Sequence, residues 1–258
     1  MRKLDARWLG AMLVALATLP RAGTAQADEI QVYDGGLASV GTFNLTLHNN
    51  YTPSGIRSPA FPGAVISNHA WVGVPEWAYG VTDWFEAGVY MPLYSVEKGL
   101  GETLNGFKLR TLFAVPHADE RRFFYGVNFE FSYNARQWDP KRFTSEIRPI
   151  IGWHLNAVDI VVNPIVDTNW EGGIGNLEFV PATRLAYNVS DVFALAVEEY
   201  GDFGPLNGFL PTGEQAQQVY GVLDYSAHAV DIELGVGFGL TNGSDKSTLK
   251  LILSRDLN

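Results

Sequence analysis

The sequence predicts an all-β protein: an antiparallel up-and-down transmembrane β-barrel of twelve strands, preceded by a cleaved signal peptide. Three observations carry that expectation. From Phe43 to Arg255 the chain alternates apolar and polar residues over about a dozen segments, each near the roughly 9–11 residues that a tilted membrane strand requires. Short and long connections join these segments in strict alternation. Beyond the first 27 residues no apolar run is long enough for a membrane helix, and a closed barrel is the other way to cross lipid without orphaned backbone groups.

The first segment, residues 1–27, has a basic start (Arg2, Lys3, Arg7), an apolar stretch from Trp8 to Leu19 and a small-residue exit at Ala25-Gln26-Ala27. That is the pattern of a secretory signal. Residues 28–258 then form one barrel domain, in which 28–41 is a periplasmic or plug segment.

Strand one, Thr42 to Tyr51, places Phe43, Leu45, Leu47 and Tyr51 on one face and Asn44, Thr46, His48 and Asn50 on the other. This is the two-residue period of a strand. A Pro/Gly/Ser-rich connection from Thr52 to Ser67 leads to strand two, which ends near Tyr79 and turns at Gly80-Val81-Thr82-Asp83. The third strand aligns Phe85, Ala87, Val89, Met91 and Leu93, and a loop from Ser95 to Asn105 follows. In the fourth, Phe107, Leu109, Phe113 and Val115 oppose Lys108, Arg110 and Ala114. The fifth is the clearest, with Phe123, Tyr125, Val127, Phe129, Phe131 and Tyr133 on one face.

The sixth strand runs from Ser145 to Leu155 and turns at Asn156-Ala157 into a seventh, where Val158, Ile160, Val162 and Val166 oppose Asp159, Asn163 and Asp167. A Gly-rich loop from Thr168 to Asn176 precedes the eighth, Leu177 to Tyr187. Its Gly172-Gly173-Ile174-Gly175 run has no helix behind it and reads as a loop tip, not a phosphate cradle. Strand nine spans Val192 to about Phe203, and the loop from Gly204 to Ala216 opens strand ten. The eleventh aligns Val230, Ile232, Leu234, Val236, Phe238 and Leu240, and the twelfth runs from Ser247 to Arg255. An even strand number puts both termini on one side, and in outer-membrane barrels that side, with the short turns, is periplasmic. Outward aromatics near the short turns, among them Trp77, Tyr79, Phe85, Phe123, Tyr125, Trp153, Tyr187, Phe193 and Tyr225, predict an interfacial girdle. A soluble sandwich would also alternate, but it has no reason to keep long and short loops in step.

Removing four bases and one acid with residues 1–27 leaves 14 basic against 27 acidic side chains, a net charge of −13. An acidic chain without a basic cluster argues against nucleic acid as a partner. The expected partners are outer-membrane lipid and a small-molecule solute. There is no cysteine, so disulfides, thiolate nucleophiles and zinc–cysteine sites are excluded. Nothing in the sequence calls for a metal or another cofactor.

The polar faces collect Glu76, Glu86, Lys108, Arg110, Glu130, Glu146, Arg148, Asp159, Asp167, Arg184, Glu198, Asp231, Glu233 and Lys250 as candidate lumen-lining residues. In a water-filled lumen such an acidic lining favours cations or neutral polar solutes. A plug of salt bridges fits the same residues, because twelve strands lie between barrels filled by side chains and barrels that stay open. The histidines, His48, His69, His117, His154 and His228, form no recognisable catalytic constellation. His69, beside Ser67 and Asn68, is the best stand-in for a barrel-wall lipid hydrolase, a weaker reading than a structural histidine, and no catalytic residue is assigned.

One hairpin is sharper than the rest. Tyr79-Gly80-Val81-Thr82-Asp83-Trp84-Phe85-Glu86-Ala87-Gly88 resembles the YGxTDxxExG turn of the bacterial outer-membrane barrel family grouped with the meta-pathway phenol-degradation proteins. The resemblance implies an outer-membrane, porin-like channel for passive passage of small solutes, aromatic or hydrophobic compounds among them, and no enzyme. It reports a turn and identifies no substrate. The chain departs from many such barrels at its end, Arg255-Asp256-Leu257-Asn258, which lacks a final outward aromatic. Two alternatives remain open: the barrel-wall lipid hydrolase and a closed structural or adhesive surface barrel.

Overall fold

The computed structural model describes residues 29–97, 101–171, 173–226 and 229–257. Residues 1–27, read above as a signal, lie outside the described residues, as do Asp28, Gly172 and His228.

The strands are β1 (Phe43–Ser54), β2 (Trp71–Thr82), β3 (Phe85–Tyr90), β4 (Tyr94–Glu97), β5 (Gly101–Leu104), β6 (Phe107–Ala114), β7 (Phe123–Tyr133) and β8 (Phe143–Leu155), followed by β9 (Val158–Asn163), β10 (Val166–Thr168), β11 (Glu178–Phe179), β12 (Ala182–Asn188), β13 (Phe193–Asp202), β14 (Ala216–Ser226), β15 (Asp231–Gly239) and β16 (Ser247–Asp256). Neighbours in the ring pair antiparallel, and β1 pairs with β16 on one side and β2 on the other, so the sheet closes. The ring has twelve spans, because β3–β4, β5–β6, β9–β10 and β11–β12 are each one span in two pieces. Pro92, Pro164 and Pro181 sit at three of the interruptions and Asn105-Gly106 at the fourth. A proline has no N–H to give the ladder, so the strand breaks there and resumes.

The expected strands and their parity are observed. Two connections differ. Residues 95–105, expected as a loop, contain the β4–β5 pairing, in which the Ser95 and Thr103 hydroxyls meet at 2.5 Å. The span therefore continues beyond the wall as a two-stranded hairpin.

The turn expected at Gly80–Asp83 also moves. β2 continues to Thr82, and the chain reverses at Asp83-Trp84. Gly80 serves another purpose: a Cβ there would lie 2.3 Å from the carbonyl oxygens of Ala38 and Ser39. Its N–H donates to the Thr42 carbonyl at 3.1 Å, and its own carbonyl accepts from Gly41 N–H at 2.8 Å. The glycine is the place where the segment before β1 lies against the wall.

The outer face is apolar and exposed, with Leu109, Phe129, Ile147, Leu195, Val236 and Leu249 among its residues. Toward the short turns, aromatic rings pair across strands, as in Phe43 with Tyr79 at 4.6 Å and Phe193 with Tyr225 at 4.9 Å. Such pairs belong at a membrane interface. Phe129, 41% exposed in mid-β7, gives a direct test. Phe129→Arg should destabilise the barrel in lipid vesicles by about 2–4 kcal/mol, the usual effect of a lipid-facing arginine near the midplane. Urea unfolding reads this, and an unchanged midpoint contradicts a lipid-facing β7.

Inside the ring, the apolar core forms around the segment that precedes β1. Val32 and Tyr33 pack with Leu112, Phe124, Ile150 and Val161, while Ile30 packs with Tyr220 and Val222. The barrel is thus filled partly by its own chain.

Candidate functional site: the barrel lumen

Period-two alternation turns the charged residues inward, and antiparallel register brings them together. Arg110 ion-pairs with Glu76, Nε to Oε1 at 3.0 Å, and with Glu86. His48, 1% exposed, meets the other Glu76 oxygen at 3.1 Å. Arg148 holds Glu146 with two bonds, Nε at 2.6 Å and Nη2 at 3.1 Å. Lys108 Nζ lies 3.7 Å from Glu130. Around the other side, Arg184 contacts Glu198, Asp224 and Glu233, and Lys250 contacts Glu198 and Glu233. Bidentate arginine–carboxylate pairs of this kind fix geometry as well as energy.

The segment before β1 is built into this network. Glu29 Oε1 sits 3.4 Å from Arg148 Nη1, which also donates to the Gln31 carbonyl at 3.0 Å. Lys250 Nζ donates to the Ile30 carbonyl at 3.3 Å, and Ala38 N–H donates to Glu86 Oε2 at 2.5 Å. Tyr33 is held on three sides. Its backbone N–H and carbonyl bond the Asn163 side chain at 2.7 and 2.9 Å, and its hydroxyl meets that of Tyr90. Its ring also faces the Arg148 guanidinium at 4.2 Å and that of Arg110 at 5.4 Å, within cation–π range.

Among the described residues the ring encloses a cavity toward each mouth. At the short-turn end a space of about 590 Å³ is bounded by residues 31–39 of the segment and by Glu76, Glu86, Arg110, Asp159, Arg184, Asp231 and Glu233. At the long-loop end a space of about 250 Å³ is lined by Lys108, Glu130, Glu146, Asp167 and Glu178, with Trp138 and Leu93. Between them stand Tyr33, Tyr90, Arg148 and their partners.

The fourteen candidates are therefore found either in the ion-pair network or on a cavity wall. Asp231 is exposed at the rim, and Asp159 accepts from Asn188 Nδ2 and bonds His154 Nδ1, both at 2.7 Å. Sequence reasoning missed Glu29, Tyr33, Tyr90 and Asp224. Strict alternation along β14 places Asp224 on the same face as Val222 and could have found it; the segment before β1 has no period to read. His69 is exposed in a loop, with φ 64°, and its N–H donates to the Thr52 carbonyl at 2.8 Å. Its neighbours serve that loop, Ser67 donating to Asp245 at 2.5 Å and Asn68 accepting from Gly55 N–H at 3.1 Å.

A closed ring of twelve spans, apolar outside and charged within, with all short connections at one end, defines an outer-membrane β-barrel. Solved structures of that class share the fold. An outer-membrane channel from Pseudomonas putida F1 superposes with a TM-score of 0.61 and 16% identity, over 89% of this chain and 100% of that one. The NanC porin matches with a TM-score of 0.56 and 11% identity over 83% of this chain and 100% of its own. The KdgM porin, solved with disordered oligogalacturonate, gives 0.53 and 7% over 83% of this chain and 99% of its own. No protein-family model matches the chain, and no curated protein sequence matches it.

Proposed function

We propose that this barrel is an outer-membrane channel for small solutes, closed at its waist by the segment before β1. One observation carries the reading: a strip of chain that enters from the short-turn end lies inside the ring, where it bounds the short-turn cavity and bonds Tyr90 and Arg148, whose neighbours Leu93 and Glu146 line the long-loop cavity. A barrel meant only to be solid has no need of vestibules at both mouths. The fold shared with porins supports passive passage. The YGxTDxxExG hairpin supports small aromatic or hydrophobic compounds as the solute class, through the family it resembles.

The lining sets the preference among ions. At the short-turn cavity Asp34, Asp159, Asp191, Asp224, Asp231 and Asp256 join three glutamates against Arg110 and Arg184. Clefts lined by one sign of charge concentrate the opposite ion. In a planar bilayer under a KCl gradient, the open channel should prefer potassium. Replacing Asp231 by Asn and Glu233 by Gln should move its reversal potential toward zero, and a potential that does not move contradicts the assignment of these residues to the conducting path.

A further inference from the structure

The long-loop cavity has an arrangement that salt-bridge filling does not explain. Four carboxylates stand in one cross-strand row: Glu130 is paired in register with Glu146, Glu146 with Asp167, and Asp167 with Glu178. All four line the same space of about 250 Å³. Direct cross-strand neighbours have Cβ atoms roughly 4.5–5.5 Å apart, and like charges so placed repel. Arg148 answers Glu146 and Lys108 approaches Glu130, while Lys141 at the rim is engaged with Glu171 at 2.6 Å. Asp167 forms no ion pair among the described residues.

A second observation is independent of that charge. Ser132 lies two residues beyond Glu130 on the same face of β7, is 7% exposed, and lines the cavity. Its hydroxyl makes no hydrogen bond among the described residues. Asp167 Oδ1 and the Trp138 indole N–H, on the same lining, also lack partners there. Buried polar atoms are normally satisfied, so the open Asp167 oxygen, on the same lining as the unbonded Ser132 hydroxyl, indicates a donor that fills the space. On the same lining, Leu93 and Trp138 pack together.

We propose that this cavity binds an organic cation bearing a primary ammonium group. An ammonium has three N–H donors and no acceptor, and it would give them to Asp167, Glu130 and the Ser132 hydroxyl. Its hydrocarbon or aromatic body lies on Trp138 and Leu93. A divalent metal suits the site less well, since no three acidic or histidine side chains among the described residues converge closely enough to hold one. The inference rests on the channel reading only in taking the bound amine for a transported solute; binding needs no conduction.

Benzylamine is the probe, with benzyl alcohol and benzoate as isosteric controls, titrated calorimetrically into the purified full-length barrel in detergent. Benzylamine should bind and both controls should fail. Asp167→Asn should weaken benzylamine about tenfold or more, as expected for loss of a charged hydrogen bond. That variant relieves a like-charge contact, so folding is retained; Ser132→Ala is the second variant and should weaken binding less. Equal binding of benzyl alcohol, displacement of benzylamine by stoichiometric calcium, an unchanged affinity in both variants, or no binding overturns the proposal. A barrel that binds benzylamine without conducting contradicts the channel reading and leaves this site standing. One that conducts without binding contradicts only this site.

Discussion

Replacing Lys250 by methionine is expected to lower the stability of the barrel by about 3–5 kcal/mol, the range for stripping one partner from a buried ion pair. Lys250 is 2% exposed, and its ammonium lies 2.5 Å from Glu233 and in contact with Glu198. Methionine keeps much of the length and removes the charge, so the two carboxylates are left with Arg184 as their shared cation. Adding Glu233→Gln should recover part of the loss, because the second change removes one of the uncompensated charges. Chemical unfolding in lipid vesicles measures both. If the single variant unfolds like the parent, the network is not holding the wall together at that point.

Removing residues 29–40 should raise single-channel conductance several-fold. The segment supplies Ile30, Val32 and Tyr33 to the interior clusters and bounds the short-turn cavity. Its removal also leaves Arg148 without Glu29 and the Gln31 carbonyl, and Asn163 without the Tyr33 backbone. The apolar contribution of each lost side chain is about 1.5–3 kcal/mol, so the truncated barrel should conduct better and unfold earlier. Tyr33→Ala, which keeps the chain but loses the contacts with Tyr90, Arg148 and Arg110, should give the same changes in milder form. Unaltered conductance in both would mean that ions bypass the waist.

Much of the barrel is legible in the sequence because a strand writes its two faces with period two. β7 illustrates it: Phe123, Tyr125, Phe129 and Phe131 are exposed and Phe124, Asn128, Glu130 and Ser132 are buried, as the alternation requires. Three features are not legible, each for a physical reason. Pro92, Pro164 and Pro181 interrupt spans that resume within a few residues, so a local rule about strand ends meets a sheet that continues on either side. Gly80 reads as a turn residue, yet its lack of a side chain serves a close approach from residues 38–39, distant in any strand pattern. The carboxylate row depends on how four strands slide against each other, and no single strand contains that register. Tyr33 belongs to a segment outside the sheet, where no period marks a residue as inward. The charged faces were therefore visible from composition and alternation, whereas the waist and the row required the fold.

The central claim, that residues before β1 close the lumen and must move for it to conduct, can be tested with one reversible lock. A Cβ at position 35 would lie 3.8 Å from the Ala114 Cβ, the mean separation in disulfides, about 3.8 Å. The chain has no cysteine of its own, so Gly35→Cys with Ala114→Cys introduces a unique pair; because Gly35 has φ 81°, Gly35→Cys alone is the control for backbone strain. Single-channel recording of this variant before and after reductant is the measurement. Openings should vanish while the disulfide is intact and return when it is reduced. Openings of undiminished size and frequency in the oxidised barrel would contradict that claim.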